Sequence, residues 1–151
     1  MTVTDFAAAV AAATADGYPQ PPAANTDQVT AIASAFARLF ELQLPDDYRA
    51  FLLTCNGFEH DGRLFYGIVD AWGDNEFHPG LFDSNERLVN GLESVETPLR
   101  FVGESGHELF AHDTEDTCWK VVDRITWTSD DPSRTYATFG ELFASVHPTL
   151  T

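Results

Sequence analysis

The sequence predicts an α+β domain with N-terminal helices, a mostly antiparallel sheet carrying one inserted helix, and a closing C-terminal helix. Three observations carry that expectation. Up to Gly57, apolar residues recur at the three- and four-residue spacing of a helix face. Beyond it the period shortens, and β-like runs alternate with turn residues. Near the end, Thr138-Phe-Gly-Glu141 forms a capping box, in which a hydroxyl and a carboxylate satisfy the unpaired N–H groups that open a helix. Helices first, a strand meander next and a helix last define α+β rather than an alternating order.

Thr4 and Asp5 can cap a first helix over the Ala-rich run Phe6 to Ala13, with Gly17 as its stop. Tyr18-Pro-Gln-Pro-Pro22 cannot continue it, because each proline removes an N–H and pushes its predecessor into extended backbone. Asn25 with Gln28 is a second capping box. Val29, Ile32, Phe36, Leu39 and Phe40 then follow at helical spacing to about Leu42. Pro45 and the acidic Asp46 and Asp47 suit a third helix start, Tyr48, Phe51 and Leu52 give its apolar face, and Asn56-Gly57 closes it. Asp61-Gly62 is a turn, and Arg63 to Val69 reads as the first buried strand. Asp70 to Gly80 reads as a long loop. Asp83 or Ser84 caps a short helix to about Asn90, with Gly91 as its stop. Leu99 to Gly103, Glu108 to His112 and Trp119 to Asp123 read as neighbouring antiparallel strands, and Ile125 to Thr128 as their continuation beyond a kink. Leu142, Phe143 and Val146 face inward from the last helix. Tyr48, Phe51, Leu52, Phe65, Phe101 and Phe110 are the expected core.

The 151 residues favour a single domain. Residues 1–24 read as a helix and Pro-rich link packed on it, and 25–151 as the α+β domain proper. Hydrophobic residues at 44%, with 12 Phe among them, suffice for a core. Cys55 and Cys118 are too few for a disulfide scaffold and read as free thiols in a reducing cytosol. Asp and Glu number 24 against 8 Lys plus Arg, a formal net charge of −16. Nucleic acid is thereby disfavoured as a direct partner, since phosphates are gripped by Lys and Arg, and the only lysine is Lys120. Anionic membrane surfaces are disfavoured for the same reason. No signal peptide or bilayer-length apolar stretch is visible, so the chain reads as cytoplasmic. A basic protein partner is electrostatically welcome, although acidity also serves solubility alone.

Catalytic patterns fail on spacing. His107 and His112 lie five apart, which places them about 140° apart around a helix and on opposite faces of a strand. Gly103-Glu-Ser-Gly106 imitates a nucleophile elbow, but His107 stands where the final glycine is needed. Asp113, Glu115 and Asp116 lack the alternation, mid-loop glycine and distal glutamate of a calcium loop. The two cysteines lack zinc spacing. The residues by themselves give an acidic α+β domain without a recognisable active site, and with no cofactor and no metal expected.

Leu44-Pro-Asp-Asp-Tyr-Arg-Ala-Phe-Leu-Leu53, then Asn56-Gly57, then Gly62-Arg-Leu-Phe-Tyr-Gly67, resembles the SUKH superfamily, which includes fungal Smi/Knr-like and bacterial YrhA-like proteins. Asn85-Glu86, Phe101-Val-Gly-Glu-Ser-Gly106, Leu109-Phe-Ala-His-Asp113, Val121-Val-Asp-Arg124 and Phe139 to Phe143 extend the likeness over roughly Asn25 to Val146. Residues 1–24 have no counterpart in it. Each matched residue also has a folding role, so the motif speaks for fold more than for activity.

The resemblance implies binding rather than chemistry. Bacterial members are regarded as immunity proteins of polymorphic toxin systems, antitoxins that hold a cognate toxin domain, often a nuclease, inactive in the producing cell. Fungal members are regulatory interaction modules. The first reading leads here, a regulatory module of the same fold is the alternative, and an unrecognised hydrolase trails both. Loops usually carry binding residues, and two acidic loops stand out. Trp72, Asp74 and Glu76 lie in one, where Trp72 is either an aromatic anchor or a core residue. Asp113, Glu115 and Asp116 lie in the other, with Glu104 and Glu108 expected nearby. These eight are the expected contacts to a basic toxin domain.

Overall fold

The computed structural model describes residues 1–73, 76–90, 96–129 and 131–151, with nothing described of the Asn90 side chain. Its helices are α1 (Val3–Ala15), α2 (Thr26–Phe40), α3 (Asp46–Leu52), α4 (Leu81–Asn90) and α5 (Phe139–Val146). Its strands are β1 (Phe58–His60), β2 (Arg63–Phe65), β3 (Ala71–Gly73), β4 (Glu76–His78), β5 (Leu99–Glu104), β6 (Glu108–Asp113), β7 (Cys118–Asp123) and β8 (Thr135–Tyr136). Six strands form one antiparallel sheet in the order β1-β2-β5-β6-β7-β8, and β3 and β4 form a separate hairpin. The architecture is the α+β arrangement expected, with α4 inserted between the hairpin and β5.

Local chemistry sets the helix starts. The boxes Asn25/Gln28 and Thr138/Glu141 both close, each side chain accepting from the other's backbone N–H. The first helix starts earlier than Thr4 suggests: Thr2 is the N-cap and Asp5 is the third helical residue, in a third capping box. Helix α2 stops at Phe40, because Glu41 takes a left-handed conformation at φ 51°. Helix α4 begins at Leu81 rather than beside Asp83 or Ser84.

The expected strand Arg63 to Val69 is shorter, ending at Phe65, and its hairpin partner is β1, which the Asn56-Gly57 signal conceals. Tyr66 to Asp70 leave the sheet through a close crossing of chains. There Gly67 bridges Gly80, its N–H donating to the Pro79 carbonyl at 3.1 Å and its carbonyl accepting from Leu81 N–H at 2.7 Å. A Cβ on Gly67 would lie 2.4 Å from the Asn56 carbonyl oxygen, and a Cβ on Gly80 2.3 Å from the Val69 carbonyl carbon, so the crossing excludes any side chain. Ile125 to Thr128 does not continue the sheet. The Asp123 carboxylate accepts from Ile125 and Thr126 N–H and turns the chain, and Thr135–Tyr136 supplies the edge strand.

The core lies between one sheet face and the helices. Phe6 of α1, Phe51 of α3, Phe65 of β2, and Phe139 and Phe143 of α5 form a continuous aromatic cluster. Strand alternation turns Phe110, His112, Trp119 and Val121 to this face, where Phe65 meets Phe110 and Phe40 meets both His112 and Trp119. On the opposite face Trp127 packs edge-on against Phe101. All six expected core residues are buried.

The link after α1 lies along the outer edge of β1. The Gln20 amide donates to the Glu59 carbonyl and accepts from the Glu59 N–H, at 2.7 and 2.9 Å, as a neighbouring strand would. This occupies part of an otherwise unpaired edge. Asn56 N–H donates to the Pro22 carbonyl and Ala24 N–H to the Leu52 carbonyl, fixing the rest of the link.

Candidate functional site

The segment read from sequence as a loop, Asp70 to Gly80, holds the β3–β4 hairpin, with Trp72 opposite Phe77 in register. Neither strand has a buried face, so the alternation that marks a strand in sequence is missing. Trp72 is 76% exposed, which decides between its two readings: it is a surface residue. Its indole leans on the Phe77 ring, centroids 5.3 Å apart, and the Arg87 guanidinium lies 5.8 Å from the Phe77 centroid. Exposed large aromatic side chains in contact with one another are what binding hot spots are built from.

The base of the hairpin is clamped. Asp70 accepts two hydrogen bonds from Arg87, at 2.7 and 3.2 Å, and one from Gly80 N–H at 2.7 Å. The Arg87 guanidinium beside it holds the Asp70 carboxyl below the usual carboxylate range. Arg87 belongs to α4, so its bonds to Asp70 tie the hairpin base to that helix, and it also donates to Ser84 Oγ of the same helix. The aromatic pair in the middle of the hairpin thus stands on a base ordered by charge-assisted bonds.

Between the hairpin and the proline link runs a groove of about 360 Å³, lined by Pro19, Pro21 and Pro22 on one side and Ala71, Trp72, Gly73, Glu76 and His78 on the other. Glu76 is exposed at its margin. Asp74 lies outside the described residues.

The other acidic candidates are placed differently. Glu104 and Glu108 flank the turn at one end of the β5–β6 hairpin, whereas Asp113, Glu115 and Asp116 lie at the far end of β6, five residues away or roughly 17 Å by strand rise. The expected nearness of the two groups is therefore corrected: the strand separates them. Glu104 accepts from the Tyr66 hydroxyl at 2.8 Å and lies 3.6 Å from Arg124, and Glu108 is ion-paired with Arg134. Asp113 is 6% exposed and binds Lys120 at 2.7 Å while accepting from Glu115 and Asp116 N–H. Burial opposes its charge, but Lys120 and the two N–H donors outweigh it and lower its pKa. Lys120 reaches Asp116 as well, at 2.6 Å. Burial opposes its charge too, and the bonds to both carboxylates still raise its pKa. Glu115 faces solvent. Sequence could not reveal these pairings, because each joins residues whose proximity depends on sheet register.

No side-chain constellation for chemistry forms around the residues weighed for it. His112 is buried against Trp119, centroids 4.9 Å apart, with burial lowering its pKa, while His107 is exposed in the β5–β6 turn. Ser105 Oγ accepts from Glu108 N–H at 3.1 Å within that turn. Burial pushes the Cys55 thiol up to about 12, away from the reactive thiolate. Among the described residues no group of three His, Cys, Asp or Glu converges as a metal site would require. No helix among them is long and apolar enough to cross a membrane.

Residues 27–145 match the SMI1 / KNR4 family (SUKH-1), well over half of the chain, and the chain belongs to that family. Membership fits an immunity-like, protein-binding role. No curated protein and no solved structure matches the chain.

Proposed function

We propose that this chain is a non-enzymatic, cytoplasmic immunity protein that binds and neutralises a cognate toxin domain of basic charge. Family membership carries the reading, and two features support it. The net charge is −16, and five of the eight Lys and Arg side chains already pair with carboxylates of the same chain, namely Arg63, Arg87, Lys120, Arg124 and Arg134. A basic surface is attracted to such a molecule over distances of about a Debye length, roughly 8 Å at physiological salt. The second feature is the exposed Trp72–Phe77 pair on its clamped base, an aromatic anchor within an acidic surface.

In this reading Trp72, Glu76 and Glu115 face the partner directly. Glu104, Glu108 and Asp116 contribute to the field while holding internal cations, and Asp113 serves mainly to order its turn. The test is co-expression with the toxin domain encoded beside the gene, followed by association kinetics. Rescue of growth, with association slowing steeply as salt rises, is expected. Absence of both rescue and binding would sink the reading.

A further inference from the structure

We infer that residues 147–151 form an acid-operated latch, which the neutral His147 ring seats on β1 and β2 and which lifts locally, ahead of the rest of the fold, when that ring takes a proton. The device is independent of which partner the chain binds.

Helix α5 ends at Val146, and Pro148 keeps the backbone from continuing it. The segment beyond is fastened by two buried side chains, His147 and Leu150, while Pro148 and Thr149 between them are exposed. Its hydrogen bonds are local. His147 N–H donates to the Phe143 carbonyl at 3.0 Å, and Leu150 N–H and Thr151 Oγ1 both donate to the His147 carbonyl at 3.1 Å. Among the described residues no hydrogen bond joins the segment to the sheet, so packing alone holds it there. A cleft of about 250 Å³, lined by Arg63, Val146 and Pro148 among others, leaves one flank of the segment without protein against it. A chain end with so few fastenings can open without the sheet opening.

The seat suits a neutral ring and rejects a charged one. Phe58 of β1, Phe65 of β2 and Phe143 of α5 surround the imidazole, and neither of its nitrogens has a hydrogen-bond partner among the described residues. The charged and titratable groups that bear on it are His60 from β1 and Arg63 from β2, both of which oppose a further positive charge. The Asp16 carboxylate at the end of α1 is bound to His60, at 3.1 Å, rather than to His147. An imidazolium in this seat would therefore be buried without an acceptor for either N–H, the costliest way to hold a charge. Burial first, then His60 and Arg63, take the seated ring down to about 3. A lifted ring is hydrated and titrates near the ordinary value of about 6.5. Between those two values the open segment binds a proton that the closed one does not, so opening rises about tenfold for each unit by which pH falls.

The experiment is amide hydrogen exchange of the full chain, read residue by residue at neutral and mildly acid pH and divided by the intrinsic rate at each pH. The His147 and Leu150 amides are expected to open about tenfold or more above those of β6 at every pH, and about 25-fold more at pH 5 than at pH 7. His147→Phe and His147→Gln should both flatten that dependence, the second without adding apolar surface to the seat. His60→Gln should keep it. Opening of the segment that is equal at the two pH values would mean that the chain end frays with the ring still seated. Protection equal to that of β6 would mean that the segment opens only with the whole fold. A dependence that survives both His147 variants, or is lost in His60→Gln, would assign the proton to another group. Any one of these results overturns the inference.

Discussion

The imidazole of His147 lies against that of His60, ring centroids 6.0 Å apart, with neither His147 nitrogen hydrogen-bonded among the described residues and only 1% of the residue exposed. Phe58, Phe65 and Phe143 enclose the rest of the ring. Burial, reinforced by the charges of His60 and Arg63, lowers its pKa from 6.5 to about 3. His60 itself is tied to Asp16 at 3.1 Å. Between those two pH values the unfolded chain binds a proton at this position that the folded chain does not, so stability is complete above about pH 6.5 and falls as pH drops below it. His147→Phe removes this dependence. Urea unfolding at pH 7.5 and 5.5 should show the native chain losing about 1 kcal/mol more than the variant. Equal losses in both would show that His147 is not the responsible group. His112, also buried and with an Nδ1 that has no hydrogen-bond partner among the described residues, acts in the same direction and is unchanged in both chains.

Asn85 joins α4 to the sheet. Its side chain donates to the Leu81 and Phe101 carbonyls at 2.8 and 2.7 Å and accepts from Phe101 N–H at 2.8 Å, all of it buried. Asn85→Ala leaves both backbone groups of Phe101 without that partner, beside a strand whose register shifts between Phe101 and Gly103. A loss of about 2–4 kcal/mol in chemical unfolding is expected. A loss below about 0.5 kcal/mol would mean that water replaces the amide without penalty.

Lys120, with its two aspartates, is the best shielded ion-pair system outside the core. Its side chain and that of Asp113 are 18% and 9% exposed. Lys120→Met strands the Asp113 charge in a poorly solvated turn and should destabilise by about 2 kcal/mol, less than a fully buried pair because Asp116 remains hydrated. The pairwise coupling in a cycle with Asp113→Asn should be about 1 kcal/mol. Additive effects would assign Lys120 a packing role instead.

The parts of the fold legible in sequence are those encoded by neighbours in the chain. Asn25 with Gln28, and Thr138 with Glu141, announce their helices because both partners lie within one turn. The three long strands announce themselves as short apolar runs bounded by turn residues, with β6 buried on both faces. What escaped is the structure that depends on distant chains. Strand β1 is defined by its pairing with β2 and by the Gln20 amide, and the β3–β4 hairpin has no apolar face to show. Trp72 was legible as an anchor candidate. The pairing of Glu104, Glu108 and Asp113 with Arg124, Arg134 and Lys120 was not, since the sheet assembles those pairs.

Phe51 lies at the centre of the aromatic cluster, fully buried and within ring contact of Phe6, Tyr48, Phe65, Phe139 and Phe143. Besides Tyr48 of its own α3, these neighbours belong to three other elements, α1, β2 and α5, so the cavity left by Phe51→Ala cannot close by moving any single one. Urea unfolding should register a loss of about 3–5 kcal/mol. An unchanged midpoint would refute the assignment of α3's inner face.

Asp70 controls the hairpin without belonging to the core. It is the acceptor for Arg87 at the surface and for the part-buried Gly80 N–H at the hairpin's base. Asp70→Ala therefore removes a local anchor and leaves the aromatic cluster untouched. Local opening and global unfolding are separable when a segment makes few buried apolar contacts, and the β3–β4 strands are almost entirely exposed. Hydrogen exchange should show Gly80 and the hairpin amides exchanging about tenfold faster, with the amides of β6 and β7 unchanged. If Trp72 binds a partner from a pre-ordered position, the same variant should also weaken toxin association, chiefly through faster dissociation. Uniform acceleration across the sheet would show that the clamp supports the whole domain. Unchanged exchange at the hairpin would show that the Gly67–Gly80 crossing alone holds it in place.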